Sequence, residues 1–390
     1  MASGFIHWFR ARARFDRNEF SGAFGDIGTD FPLIVGMILA AKLDVASVLI
    51  MYGLMQLFTG LLYGMPMPAQ PLKAMAIIVI AQKLNGNILY AAGLAIGVVM
   101  LLLTVTGLID WIARAVPKTV VRGIQFGLGM QLAYLALKDY VPADGRWGYA
   151  LAGAAFLLTI LLLGNRRFPP ALFVIALGII YAVIFKFGGA SLPGHGFGIR
   201  LPQLHIPVWA DIVTGFLLLT LPQIPLSLGN SILATRQVSE DLFPERHVTI
   251  KKISMTYSLM NLVNPFFSGV PTCHGSGGIA GHYAFGGRTG GSVITYGMIY
   301  LSLGLFFSGG FASAVKLFPL PILGIILLFE ALALMKLVRD TMGKPGDFAL
   351  VILVGLICFG IPHGYGYVVG LAIGTALAYL LPDRLSGLTR

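Results

Sequence analysis

Two short stretches inside otherwise apolar parts of the chain carry the polar residues best suited to binding chemistry. The first, Gly64–Met75, contains Gln70 and Lys73. The second, Gly269–Gly278, contains the candidates Thr272, His274, Gly275 and Ser276. Small donors of this kind, together with exposed backbone N–H groups, suit a compact tetrahedral oxyanion.

Prolines show how these stretches should be shaped. Pro66, Pro68 and Pro71 prevent a regular helix before Pro71 but allow one to begin after it. The second half repeats the pattern, because Gly64 and Pro66 recur as Gly269 and Pro271 with an offset of 205 residues. Paired Gly/Pro interruptions in corresponding halves point to a transporter's binding site.

Each stretch should therefore end in a half-helix whose N-terminus lies within the membrane. We expect the half-helices to begin near Ala69–Leu72 and near Thr272–Ser276. Unpaired N–H groups and the helix dipole make such an end attractive to anions, and two facing ends make an anion site. Half-helix ends that lie far apart, or an end plugged by a carboxylate side chain, would overturn the oxyanion interpretation.

Three charged residues in membrane segments are candidates for function. Lys73, expected one turn into the first half-helix, should face the interior, because exposure to lipid costs at least ~2.5–3.5 kcal/mol. It either helps to hold a dianion or pairs with a carboxylate, most plausibly Asp26, and the two roles can coexist. Asp26 is the favoured candidate for proton coupling or gating. Asp30, four residues on and on the same helical face, either shares that role or caps the residues before Pro32.

The span that begins the second half carries a polar stripe. Gln223, Ser227 and Asn230 follow one another at helical spacing and should close the site from this side. Pro222 and Pro225 loosen the same helix. Interhelical packing is a serious alternative for Asn230.

The composition is that of an integral membrane protein. The chain is 57% hydrophobic and only 11% charged, against roughly 25% charged residues in a soluble domain. The net charge of +11 comes from basic residues dispersed through loops, which argues against nucleic-acid binding. Cys273 and Cys358 lie in apolar segments, so no disulfide framework is indicated. No metal or other cofactor is expected.

Hydropathy predicts an all-α protein of about fourteen spans. The spans are roughly 21–41, 45–63, 66–83, 88–108, 119–137, 147–163, 170–187, 211–235, 251–268, 271–285, 291–310, 316–336, 347–361 and 363–381. Seven spans per half force the halves into opposite orientation, giving a 7+7 inverted repeat in which spans 3 and 10 are the half-helices after short extended segments. Twelve spans are the alternative if 271–285 or 347–361 is re-entrant.

Charge and segment lengths set the expected layout. A basic cytoplasmic segment (1–20) precedes the first repeat (21–187), and an external connection (188–210) leads to the second repeat (211–381) and a short cytoplasmic tail (382–390). This layout puts 19 of the 27 Lys and Arg residues on the cytoplasmic side and 7 on the other, with Lys73 in the membrane. The bias predicts cytoplasmic termini in a cell (inner) membrane.

Several motifs together resemble one family. Gly25–Thr29, Met65–Ala74, Pro222–Ser231, Pro271–Tyr283 and Phe285–Gly290 resemble the molybdate transporter family within the sulfate permease superfamily. The resemblance implies a core domain and a gate domain built from two intertwined seven-span repeats. It also implies that the cytoplasmic regulatory (STAS) domain of typical sulfate permeases is lacking.

The function implied by the resemblance is secondary active transport of molybdate by alternating access. The oxyanion would be bound between the two half-helix N-termini, with a proton as candidate co-substrate. Sulfate, tungstate or another oxyanion is the main alternative cargo. A nucleobase permease would need acidic residues near the half-helices, and an anion channel is also less favoured. A membrane enzyme is improbable, because the adjacent pair Cys273-His274 points in different directions. A homodimer is left open.

Overall fold

The structure, a computed structural model, describes residues 9, 11–109, 111, 117–162, 170–186, 197–343, 345–361 and 365–380. The expected tail at 382–390 lies outside the described residues. So do residues 188–196 of the expected connection and residues 1–8 and 10 of the expected N-terminal segment. What is described is almost entirely helical, as the sequence predicted.

Eight helices and one strand make up the first half of the described chain. Their bounds are α1 Arg17–Gly22, α2 Ile27–Ala41, α3 Val45–Tyr63, β1 Ala69–Pro71, α4 Lys73–Gln82, α5 Gly86–Thr106, α6 Lys118–Leu135, α7 Gly145–Leu162 and α8 Pro170–Tyr181. π-Helical turns extend α6 to Tyr140 and α8 to Lys186.

The second half adds seven helices and a second strand. Their bounds are α9 Trp209–Leu242, α10 Ile250–Val263, β2 Thr272–His274, α11 Ser276–Ala284, α12 Gly291–Leu317, α13 Leu320–Lys336, α14 Pro345–Gly360 and α15 Tyr365–Leu380. Two π-helical segments, Phe216–Thr220 and Ser227–Leu233, interrupt α9. Short 3₁₀ turns follow α10 at Asn264–Phe267 and α13 at Leu337–Thr341.

Each predicted span coincides with one helix from α2 to α15, and predicted spans 3 and 10 coincide with the short helices α4 and α11. Among the described residues, six helices are long and apolar enough to cross a membrane: α3, α5, α6 with its π turn, α7, α9 and the Gly291–Phe311 part of α12. Shorter apolar helices account for most of the rest.

Local signals explain where the first spans begin and end. Asp44 caps α3 by accepting a hydrogen bond from the Ser47 backbone N–H at 2.8 Å, which satisfies one of the donors a helix start leaves open. Gly64 ends α3 with φ of 62°, a left-handed conformation that glycine adopts without steric cost. The chain then turns directly into the proline-rich segment that leads to β1.

The two strands tie the halves of the chain together. β1 and β2 pair antiparallel, with Ala69 opposite His274 and Gln70 opposite Cys273. Both strands are completely buried, and Leu72 N donates to Pro271 O at 3.1 Å beside them. β1 packs against α2 and α3, and β2 packs against α10 and the Ser227–Leu233 part of α9.

The helices pack in two groups. In the first, α3 lies along α12, α5 contacts α9 and α10, α2 contacts α4, and α9 contacts α11. In the second, α6 packs against α13, α14 and α15, and α7 packs against α8 and α13. The α3–α12 contact is close enough to require glycine, since a Cβ on Gly53 would lie 2.7 Å from Gly297 O.

Candidate anion-binding site

The half-helices begin directly after the paired strands. α4 begins at Lys73 and α11 at Ser276. Because β1 and β2 are antiparallel, the helices that follow run in opposite directions and their N-termini start from the same ladder. Lys73 is thus the first helical residue, not one turn in as predicted. Pairing with Thr272 holds Pro71 in the strand, which delays the helix beyond the position that proline favours.

Gln70 and Asp26 lie against the N-terminus of α11. Gln70 Nε2 donates to Asp26 Oδ2 at 2.5 Å, and a Cβ on Gly275 would overlap the Gln70 side-chain oxygen. A Cβ on Gly278 would lie 2.5 Å from Asp26 Oδ2. A carboxylate therefore sits at the first turn of α11. This is the arrangement that was expected to rule out an oxyanion site.

The N-terminus of α4 receives a neutral group at the corresponding place. Met75 N donates to Gln223 Oε1 at 3.2 Å, and Gln223 Nε2 donates to Ser227 Oγ at 3.1 Å. Ser227 Oγ in turn lies 2.8 Å from the hydroxyl of Tyr257. The structure thus brings the predicted residues Gln223 and Ser227 together at the start of the first half-helix.

Asn230 does not continue this stripe as predicted. Ser227–Leu233 is π-helical, so its turn is wider than the α-helical spacing on which the prediction rested. Asn230 is half-buried, and its backbone carbonyl accepts a hydrogen bond from Thr235 Oγ1 at 3.2 Å. Ser231 instead is buried and lies within hydrogen-bonding reach of the Cys273 thiol.

Thr272 and His274 point away from Gln70. Cross-strand neighbours share a face and successive residues alternate, so Cys273 faces the Gln70 side while Thr272 and His274 face α10. There Thr272 Oγ1 accepts from Asn264 Nδ2 at 3.2 Å, and His274 Nε2 lies 2.6 Å from Thr256 Oγ1. We therefore do not carry these two predicted donors into the proposed site.

The residues at the two helix starts are less buried than the ladder itself. Lys73 and Ser276 are half-buried, whereas the strand residues beside them are buried. Gly277 is exposed, and no heavy atom lies within 4 Å of the position its Cβ would take. Lys73 is near enough to Asp30 and Cys273 to interact with both electrostatically.

Asp30 lies deeper than Asp26 and contacts α3. Its side chain is 0% exposed, and its Oδ2 contacts the Tyr52 hydroxyl. Tyr52 also lies 2.8 Å from Ala69 O, the first carbonyl of β1. Asp30 is thus linked to the strand by tyrosine, which differs from the expected alternative of a cap before Pro32.

Four polar residues at the site were missed by the sequence analysis. Gln56 bonds both backbone groups of Ala69, at 2.6 and 2.9 Å. Asn261 bonds both backbone groups of Thr272, at 2.6 and 3.0 Å. These residues, like Tyr52 and Tyr257, are separated by the same 205 residues as the glycine and proline pairs. That shared offset is the signal that would have found them.

Metal chemistry has no visible support in the described part of the chain, which contains no group of three or more His, Cys, Asp or Glu placed to hold an ion. What the site offers is backbone N–H groups, amide and hydroxyl side chains, one lysine and two carboxylates. Such groups bind and release an anion and a proton without covalent chemistry.

Comparison with known proteins places this geometry in a family. A family model described as "Molybdate transporter of MFS superfamily" matches residues 18–132 and 215–334. Molybdate transporter 1 of Arabidopsis thaliana is 33% identical over 90% of this chain and 86% of its own length. Molybdate transporter 2 of the same plant is 32% identical over 94% and 89%.

Two solved structures illustrate the likeness of the fold. The transmembrane domain of the cyanobacterial bicarbonate transporter BicA superposes with a TM-score of 0.65 at 17% identity, covering 94% of this chain and 99% of that one. The inward-facing murine Solute Carrier 26 family member A9 gives 0.69 at 14% identity, covering 97% and 72%. At these identities the likeness shows the fold alone. With the matching family model and the two plant relatives, it follows that this chain belongs to the molybdate transporter family.

Proposed function

We propose that this protein is a secondary active transporter that moves molybdate across a cell membrane by alternating access. The observation that carries the proposal is the β1–β2 pairing, because α4 and α11 both begin directly after this one buried ladder. Each end contributes roughly half a positive charge and unpaired N–H groups. The names of the plant relatives supply the cargo.

The proposed site takes its donors from both halves of the chain. In the proposal the backbone N–H groups of Gly275–Gly278 and the side chain of half-buried Ser276 donate to the anion, and Gln70 lies beside them. Lys73 adds positive charge for a dianion. Gln223 and Ser227 complete the wall at α4, and half-buried Asn230 lies further along the same helix.

Asp26 acts in this proposal as a gate. Its oxygen occupies the first turn of α11, where an oxyanion would otherwise accept hydrogen bonds. The carboxylate therefore stands in for the cargo and must move or be neutralised before molybdate binds. We expect Asp26→Asn to tighten molybdate binding several-fold, and Asp26→Glu to leave it weak. Weaker binding by Asp26→Asn than by the wild type would contradict the gating role.

The two packing groups correspond to the expected core and gate domains, with the site in the first. Equivalent contacts support the 7+7 inverted repeat. In that repeat α3 corresponds to α10 and α5 corresponds to α12. The contact of α3 with α12 therefore has its equivalent in the contact of α10 with α5. In alternating access the core, including both half-helices, would move as one unit against the gate. In this proposal both termini are cytoplasmic and the protein lies in the cell (inner) membrane.

Binding competition on the purified full chain tests the cargo. Molybdate should bind saturably, and unlabelled tungstate, sulfate and phosphate should rank behind or beside it. Lys73→Met should weaken molybdate binding, whereas Lys42→Met, a lysine at the end of α2, should not. In proteoliposomes, saturable uptake with counterflow supports a transporter, and linear flux without counterflow would indicate a channel instead.

One structural observation revives a nucleobase permease. The sequence argument against it was the lack of acidic residues at the second half-helix, yet Asp26 from α2 lies at that helix. Uracil and xanthine therefore belong in the same competition series. If a nucleobase binds and molybdate does not, the oxyanion proposal is wrong.

A further inference from the structure

Asp30 is a buried acid that the proposed anion site does not use. It lies on α2 one turn beyond Asp26 and is 0% exposed. Its Oδ2 contacts the Tyr52 hydroxyl, and its Oδ1 has no hydrogen-bond partner among the described residues. An ionised carboxylate with one unsatisfied oxygen is strongly disfavoured in such a buried place.

The two contacts of the Tyr52 hydroxyl require a proton on Asp30. The Tyr52 hydroxyl touches two oxygens, Asp30 Oδ2 and Ala69 O, the latter at 2.8 Å. A phenol has one hydrogen to donate, and a carboxylate and a carbonyl both only accept. Both contacts become hydrogen bonds only if Asp30 is protonated and donates to Tyr52 Oη, while Tyr52 donates to Ala69 O.

We propose that Asp30 is the proton-binding site of this transporter, protonated in the present conformation, and that its proton is the one moved together with the anion. Only the statement that this proton moves together with the anion rests on the proposed function; the protonation of Asp30 does not. The sequence favoured Asp26 for coupling, but Asp26 Oδ2 accepts a hydrogen bond from Gln70 Nε2, as a carboxylate does. The side chains of Asp26 and Asp30 are also within hydrogen-bonding reach of each other, and in this proposal the proton of the pair is carried by Asp30.

The charged and titratable neighbours of Asp30 are few. Asp26 lies on the same helix, Lys73 on α4, and Tyr52 on α3. Further groups within electrostatic range are Cys273 on β2 and Tyr296 and Tyr300 on α12. A bound dianion near Lys73 would add negative charge beside Asp30. Anion binding and retention of the proton therefore favour each other, as co-transport requires.

Tyr52 passes the protonation state of Asp30 to the site. When Asp30 loses its proton, the Tyr52 hydrogen must turn to the carboxylate, and Ala69 O keeps only the hydrogen bond from Gln56 Nε2 at 2.6 Å. Ala69 is the first residue of β1, which leads into α4. The change thus reaches the strand that holds the first half-helix.

The second half contains a matched pair in which a serine takes the place of the carboxyl group. Tyr257, the counterpart of Tyr52, contacts Ser227 at 2.8 Å, and Ser227 is separated from Asp30 by the same 197 residues as Gln223 from Asp26. A serine hydroxyl donates and accepts without taking up a proton. Tyr257 and Ser227 therefore supply control variants for Tyr52 and Asp30.

Infrared spectroscopy of the purified protein tests the proton directly, without any assay of transport. The wild type should show the C=O band of a protonated carboxyl group at neutral pH. The band should be lost in Asp30→Asn and kept in Asp26→Asn and Ser227→Ala. Tyr52→Phe should shift its frequency, and Tyr257→Phe should not. Persistence of the band in Asp30→Asn, or its absence from the wild type, would overturn the assignment.

Transport tests the coupling. In proteoliposomes, an inward proton gradient should stimulate molybdate uptake by the wild type. Asp30→Asn should bind molybdate and exchange it, yet lose the stimulation. Stimulation that survives in Asp30→Asn but not in Asp26→Asn would return coupling to Asp26. If the wild type binds no molybdate, the proposed function fails, while the infrared result still decides the proton site.

Discussion

Gln56 and Asn261 make the same contact in the two halves of the chain: each side-chain amide bonds both backbone groups of the first residue of a strand. Gln56 holds Ala69 of β1, and Asn261 holds Thr272 of β2. Each amide thereby extends the two-stranded ladder by a side chain from a neighbouring helix. The half-helix starts are fixed from outside as well as by each other.

Removing either amide should loosen the site. Gln56→Met and Asn261→Leu each leave a buried N–H and a buried carbonyl without that partner, at about 1–3 kcal/mol for each unsatisfied group. We expect lower thermal stability in detergent together with weaker molybdate binding. Gln131→Met is the control, because Gln131 donates to Cys358 O within the other packing group. It should lower stability and leave binding unchanged; equal loss of binding in all three variants would contradict the role.

A second carboxylate at the site should repel the anion. Gln223 accepts from Met75 N at the start of α4, so Gln223→Glu puts negative charge at the end that Asp26 does not occupy. A like charge about 4 Å away costs roughly 4 kcal/mol at an effective dielectric constant of ~20. Molybdate affinity should fall by more than about tenfold. Gln223→Leu, which removes the amide without adding charge, separates repulsion from the loss of a hydrogen bond.

The close contact between α3 and α12 should not tolerate added volume. Gly53→Ala would place a methyl group 2.7 Å from Gly297 O, a backbone atom that cannot turn aside. Overpacking of this kind costs about 1–3 kcal/mol, and thermal unfolding in detergent should show it. Gly153→Ala on α7 is the control, since its Cβ would meet nothing within 4 Å. That variant should be neutral or slightly stabilised, because alanine favours the helix.

Glu19 should be required to hold α1 in place. Its buried carboxylate accepts hydrogen bonds from the backbone N–H groups of Arg288, Thr289 and Ser292 at 2.8 to 3.0 Å. Glu19→Gln replaces one accepting oxygen with an NH₂ group that faces donors, and should cost about 1–3 kcal/mol. Limited proteolysis near α1 should quicken. Glu240→Gln, which breaks only an exposed ion pair with Arg236, should change little.

Ionisation of Asp340 should make the thermal stability of the protein depend on pH in the acidic range. Hydrogen bonding from Arg122 lowers its pKa from 3.8 to about 2. Because the folded pKa lies below the unfolded one, this stabilisation is present above the unfolded pKa and is lost as pH falls through about 2. The difference in unfolding temperature between wild type and Asp340→Asn should therefore shrink as pH falls from about 4. Arg122→Gln should weaken the same dependence without abolishing it, because Lys118 also pairs with Asp340 at 2.7 Å. A constant difference between the wild type and Asp340→Asn would show that these ion pairs are not its cause.

The sequence predicted the positions of the spans and of both half-helices, because long apolar runs and paired Gly/Pro interruptions are strong physical signals. It did not predict which strand residues face the site. The β1–β2 register decides that Thr272 and His274 face α10, and a pairing between residues two hundred positions apart leaves no local trace. Asn230 was misplaced because the sequence gives no clear sign of the π-helical turn at Ser227–Leu233.

Other residues were missed although a signal existed. Tyr52, Gln56, Tyr257 and Asn261 lie in apolar helices, where a packing role is the ordinary expectation. Their common spacing of 205 residues would have marked them had the repeat been followed beyond the Gly and Pro pairs. The strands themselves start 203 residues apart, since the first half has two more residues between Pro66 and its strand.

Among the residues that the structure describes, neither strand of the ladder pairs with a strand from its own half of the chain. During synthesis Ala69–Pro71 emerges long before Thr272–His274, so the binding site cannot form until the ribosome has passed residue 274. A half-length product would have an unpaired strand edge, which proteolytic quality control could recognise. For the same reason, an ancestor with a single repeat would have needed a second copy of itself to build the site.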